Sequence, residues 1–193
     1  MVRWIKICGL TRREDVEAAI AAGVDAIGFV FAPSKRQVTA RHAAQIASEV
    51  PAGIARIAVM LHPGQPLLDE VWQEFRPDVL QTDAEDLQYL AVPAELSVMP
   101  VLRTGRGASE ILPPRLLFEG PVSGRGTTAD WSAAAELAKR TQLVLAGGLN
   151  AANVAAAIDA VKPFGVDVSS GVESAPGVKD AVKIHEFVQA ARG

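Results

Sequence analysis

Short apolar runs alternate with amphipathic stretches along almost the whole chain. Eight runs read as strands: Trp4–Cys8, Ala26–Phe31, Ile54–Leu61, Val79–Gln81, Leu96–Leu102, Arg115–Glu119, Leu143–Ala146 and Phe164–Val168. Between them, apolar residues recur at helical spacings of three and four. Thr11-Arg12-Arg13-Glu14 reads as a capping box, with Val16, Ala19 and Ile20 as the buried stripe behind it. Gly23 suits the C-terminus of that helix. Thr39 caps a second helix with the stripe Ala43, Ile46, Ala47 and Val50, and Asp130 caps another from Trp131 to Arg140. Asn150 opens one with Val154, Ala157, Ile158 and Val161, and the last helix carries Ala181, Ile184, Val188 and Ala191.

Eight strands, each mostly followed by a helix, predict an α/β fold: a single (β/α)₈ barrel spanning residues 1–193. Such barrels typically need about 250 residues, so roughly 24 per unit leaves short helices and tight loops. The weakest unit lies between Leu102 and Arg115. There Thr104-Gly105-Arg106-Gly107 and Pro113-Pro114 predict a reduced or missing helix after the fifth strand. An open doubly wound sheet would carry its glycine-rich loop after the first strand. Here the glycine-rich segments follow strands six, seven and eight, which favours the barrel.

Composition narrows the class. Apolar residues make up 49% of the chain but aromatics only 5%, so Ala, Val, Leu and Ile build the core, as in helix-covered parallel strands. A net charge of −3 argues against a nucleic-acid partner. The single cysteine forms no internal disulfide and is compatible with a reducing compartment. Charges interrupt the apolar start Met-Val-Arg-Trp-Ile-Lys, unlike a signal peptide, and no apolar run reaches membrane-spanning length. The expectation is a soluble, cytoplasmic protein with no membrane partner, monomeric or homodimeric.

Active groups in a barrel sit at the C-terminal strand ends. The first strand ends at Cys8, and alternation puts Trp4, Lys6 and Cys8 on one face, Ile5 and Ile7 on the other. Cys8 reads either as a small buried residue or as a thiolate that a neighbouring ammonium would stabilise. The second strand leads into Ala32-Pro33-Ser34-Lys35-Arg36, where Arg36 is either a bidentate carboxylate ligand or a surface cation. Glu119 ends the sixth strand, as a general acid or a solvated carboxylate. Asp167, between Val166 and Val168, points into the mouth, either orienting a catalytic group or satisfying backbone donors. Gly147-Gly148 and Ser169-Ser170-Gly171 follow the last two strands, where phosphate sites recur in this fold. No metal-ligand spacing appears, since the only cysteine has no histidine pair near it, so no metal is expected.

Four segments resemble one family: Lys6-Ile7-Cys8-Gly9-Leu10-Thr11, then Gly28-Phe29-Val30-Phe31 with Ser34-Lys35-Arg36, then Gly147-Gly148-Leu149-Asn150, then Val166-Asp167-Val168-Ser169-Ser170-Gly171-Val172-Glu173. Together they look like phosphoribosylanthranilate isomerase of the tryptophan pathway, from the first strand to the last helix. The resemblance implies a cofactor-free (β/α)₈ barrel acting on a phosphosugar that carries an anthranilate carboxylate. It implies that Cys8 is the general base at C2 of the ribose and that Arg36 meets the carboxylate. It implies a phosphate site at Gly147, Gly148, Ser169, Ser170 and Gly171, and a general acid at the end of strand six. Two positions depart from the family pattern. Glu119 stands where an aspartate acid is usual, and Leu80-Gln81-Thr82-Asp83 stands where Gln-Leu-His-Gly is common. Competing expectations are a related phosphosugar isomerase, such as the histidine-pathway aminoaldose isomerase, and a non-catalytic phosphosugar-binding barrel.

Overall fold

The computed structural model describes residues 4–105, 111–120 and 129–193. Strands β1 (Trp4–Cys8), β2 (Ala26–Val30), β3 (Ala55–Val59), β4 (Val79–Asp83), β5 (Ser97–Arg103), β6 (Arg115–Glu119), β7 (Gln142–Leu145) and β8 (Gly165–Val168) follow one another around a closed barrel. Every neighbouring pair is parallel, and β8 returns to β1 with Lys6 opposite Asp167. The predicted strands are all present, with ends shifted by no more than a few residues. The largest extension is at β4, which runs on through Thr82 and Asp83 because both pair with β5, opposite Pro100 and Val101.

Period-two alternation explains the two cores. Inward-facing Ala26, Ile57, Met99, Val101, Leu117, Val144 and Ala146 fill the barrel, with Trp4 and Phe164 packed against them. Outward-facing Ile5, Ile7, Ile27, Phe29, Leu116 and Val166 pack with the helices. These are α1 (Arg13–Ala21), α2 (Ala40–Ile46), α3 (Gln65–Glu74), α4 (Trp131–Ala138), α5 (Val154–Val161) and α6 (Ala181–Arg192). Both faces of the strand middles are covered, which is why the strand runs are largely apolar.

Caps at Thr39, Asp130 and Asp180 form as side-chain bonds to backbone N–H groups. Gly23 follows α1 in the left-handed region. The capping box at Thr11 does not form: α1 starts after Arg12, and the Thr11 hydroxyl donates to the Gly177 carbonyl at 2.6 Å instead. Asn150 organises a turn ahead of α5, which begins only at Val154. β4 is followed by a single 3₁₀ turn, Asp86–Tyr89, where a full helix fits the general pattern. The reduced helix expected after β5 falls largely on residues 106–110, outside the described residues; Thr104–Gly105 and Ile111–Pro114 beside them are not helical. An unanticipated hairpin, β9 (Glu173–Ala175) and β10 (Val178–Lys179), lies between a 3₁₀ turn at Ser170–Val172 and α6.

Gly28 on β2 leaves room for its neighbour strand's polar side chains. A Cβ there would lie 2.8 Å from Lys6 Cε and 3.0 Å from Cys8 Sγ. Gly28→Ala is therefore expected to cost about 1–3 kcal/mol through overpacking. A denaturation midpoint equal to that of the parent protein would contradict it.

Candidate active site

The C-terminal strand ends enclose a cavity of about 190 Å³. Cys8 at the end of β1 lines it and is 7% exposed. Lys6, two residues earlier on the same inward face, is completely buried and donates to Asp167 Oδ1 at 2.9 Å. The strand register places these two residues side by side. Burial alone would drive the Lys6 ammonium towards neutrality, but Asp167 and Cys8 outweigh it and hold its pKa above the usual value. Cys8 goes the other way. Burial pushes its thiol up, and the Asp167 charge adds to that; Lys6 pulls down and is outweighed. The ammonium expected to create a thiolate is shared with Asp167, so Cys8 rests as a thiol at neutral pH.

Three inward-facing charges meet across the cavity on adjacent strands. Arg103 at the end of β5 pairs through Nη1 with Asp83 Oδ2 and through Nη2 with Glu119 Oε1, the latter at 3.0 Å. Arg103 and Glu119 are register partners. All three residues line the cavity. Asp83 Oδ1 and Gln81 Oε1 are buried acceptors with no hydrogen-bond partner among the described residues. Both residues line the cavity, so a ligand presenting hydroxyl or N–H donors would satisfy them. The sequence motifs single out Glu119 and Asp83 but miss Arg103. Its signal was the alternation Met99, Val101, Arg103, which aims an arginine into the barrel.

His62, Asp83 and Asp86 each bring a possible ligand atom within 4.8 Å of the others. Each already has an ionic or hydrogen-bonded partner. His62 Nδ1 meets Asp86 Oδ1 at 2.7 Å, a contact that raises the histidine pKa and contributes to lowering that of the aspartate. Arg103 supplies the positive charge at Asp83. The cluster reads as an ion-pair network rather than a metal centre.

On the opposite wall, Gly147 and Gly148 hold φ values of 93° and 66°, which turn the chain after β7. They line the cavity together with Ser169 and Ser170. Gly171 does not line it. A Cβ at Gly171 would fall 2.0 Å from the Leu149 carbonyl oxygen, so this glycine lets the loops after β7 and β8 touch. Arg36 donates from Nε and Nη2 to the two carboxylate oxygens of Glu173, at 2.6 and 2.9 Å. Lys179 Nζ reaches the same carboxylate at 2.9 Å and the Ser169 carbonyl at 3.0 Å. Burial works against the Glu173 charge, but these bonds and charges outweigh it and hold its pKa below the usual value.

Polar side chains from five strand ends converge on one mouth at the C-terminal end of the barrel, the arrangement of a (β/α)₈-barrel enzyme. A sequence profile described as N-(5'phosphoribosyl)anthranilate (PRA) isomerase matches residues 5–190, and the chain belongs to that family. The N-(5'-phosphoribosyl)anthranilate isomerase of Pelobacter propionicus is 40% identical over 199 residues, covering 97% of this chain and 95% of that protein. The crystal structure of phosphoribosyl anthranilate isomerase from Thermotoga maritima matches with a TM-score of 0.82 at 32% identity, covering 100% of both chains. A phosphoribosyl anthranilate isomerase in complex with reduced 1-(o-carboxyphenylamino)-1-deoxyribulose 5-phosphate matches at 0.79 and 32%, again over 100% of both chains. No helix among the described residues is long and apolar enough to cross a membrane.

The resting state of Cys8 is directly testable. The rate of its alkylation by a neutral haloacetamide should rise with pH to a midpoint above the ordinary thiol value of about 8.5. Lys6→Met removes the neighbour that most favours the thiolate, so the midpoint should move higher still. A midpoint below the ordinary value would overturn the account.

Proposed function

We propose that Cys8 and Glu119 carry the reaction of this isomerase family in the barrel mouth: conversion of N-(5-phosphoribosyl)anthranilate into 1-(2-carboxyphenylamino)-1-deoxyribulose 5-phosphate, in tryptophan biosynthesis. The supporting observation is that both side chains, from β1 and β6, line one cavity whose wall also carries Arg36 and the Gly147–Gly148 and Ser169–Ser170 loops. The chemistry is an Amadori rearrangement. The anthranilate nitrogen expels the ring oxygen from C1, and Glu119, in its protonated form, gives that oxygen a proton as the furanose opens. The thiolate form of Cys8, its own proton released to solvent beforehand, then takes the proton from C2 of the resulting iminium ion. The enolamine so formed gains a proton at C1 while its C2 hydroxyl loses one, which gives the aminoketose. No carbon–sulfur bond forms at any stage.

Each supporting group has a physical task. Lys6, beside Cys8 on β1, favours the thiolate once it forms. Arg103 fixes the longer arm of Glu119. The glycine and serine loops take the phosphate through backbone N–H groups, and Arg36 meets the anthranilate carboxylate. Two anionic ends held by separate anchors leave C1, C2 and the ring oxygen between base and acid, which lowers the entropic part of the barrier. The buried acceptors Gln81 Oε1 and Asp83 Oδ1 suit ribose hydroxyl donors.

Turnover followed by the loss of substrate fluorescence tests these assignments. Cys8→Ser should lower kcat by about 10²–10⁴, the usual contribution of a positioned base, and leave product-analogue affinity in place. Glu119→Gln should lose activity on the same scale, and Glu119→Asp should keep part of it. Parent-like turnover in Glu119→Gln would move the acid to another residue, with Asp167 the next to test.

A further inference from the structure

The β9–β10 hairpin does more than connect β8 to α6. Its register sets Lys179 opposite Glu173. Its tip is tied down where Thr11 donates to the Gly177 carbonyl, and Asp15 accepts from the Lys179 backbone N–H at 3.3 Å. What the hairpin delivers to the cavity wall is a nearly buried carboxylate, the Glu173 side chain being 7% exposed, against Arg36. A guanidinium has two bidentate edges, Nε–Nη2 and Nη1–Nη2. Glu173 takes the first with both oxygens. The second edge is engaged by no described residue, and Arg36 lines the cavity. Lys179, with a fully buried side chain, opposes the same carboxylate. Two cations against one anion leave the cluster positive, although Arg36 is ion-paired.

We propose that Glu173 is a positioning residue: it holds Arg36 by its Nε–Nη2 edge so that the Nη1–Nη2 edge meets the substrate carboxylate, with Lys179 keeping the cluster positive. The inference rests on the assignment of Arg36 to that carboxylate. It excludes the opposite arrangement, in which Glu173 competes with substrate for Arg36. A glutamine at this position would aim an amide N–H₂ at donors and free Arg36 to turn, while Lys179 would still hold Ser169 directly.

The test compares Glu173→Gln, Glu173→Asp, Arg36→Met and the Arg36→Met/Glu173→Gln double variant, reading KM and kcat for phosphoribosylanthranilate and the inhibition constant of inorganic phosphate. Glu173→Gln should raise KM by about tenfold or more, the loss of hydrogen bonds to a charged group, with a much smaller change in kcat. Glu173→Asp should lie between it and the parent. The phosphate constant should stay near the parent value in both, which also reports an intact mouth. In the Arg36→Met background, Glu173→Gln should add little further to KM. A lowered KM in Glu173→Gln, an unchanged one, or additive effects in the double variant would overturn the proposal while leaving Arg36 as the anchor. An unchanged KM in Arg36→Met would instead remove the anchor, and the proposal with it.

Discussion

Closure of β8 onto β1 is the constraint from which the rest of the molecule follows. In that register the seam sets Lys6 beside Asp167 inside the barrel, where neither reaches water freely. Removing one member of such a buried pair typically costs about 3–5 kcal/mol, because the other is left uncompensated. The pair is thus poor material for a core and makes sense as part of a mouth. It fixes where Cys8, one step further along β1, must project.

The other charged groups of the mouth obey the same logic. Each reaches a partner on a neighbouring strand or loop: Arg103 with Asp83 and Glu119, and Arg36 with Glu173 and Lys179. Both networks place positive charge near an anionic substrate without exposing an unpaired cation in a confined space. The wall beside β7 and β8 is shaped instead by the turns at Gly147 and Gly148, so chain geometry forms one side of the mouth and side-chain charge the other.

Much of the fold was legible because strands and helices repeat with fixed periods. All the strand runs, the caps at Thr39 and Asp130, and the shared face of Lys6 and Cys8 came from local pattern alone. What the pattern missed depends on contacts distant in sequence. Thr11 carries a local capping signal, but a carbonyl 166 residues away takes its hydroxyl. Lys179 sits in a two-residue strand with no periodicity to betray it. The weight of Lys6 on Cys8 could not be read from adjacency, since it depends on how much of the ammonium's charge Asp167 claims. The glycine-rich segment after β6, Ser123-Gly124-Arg125-Gly126, lies outside the described residues.

The seclusion of Cys8 has a consequence for the protein's life among oxidants. Peroxide attacks thiolates, and it attacks them in proportion to their exposure. A sulfur 7% exposed, with its proton held by desolvation, offers little of either. The environment that keeps this sulfur protonated at rest also shields it from climbing to sulfenic and sulfinic acid. A chain with a single cysteine has no second thiol with which to resolve such damage as an internal disulfide.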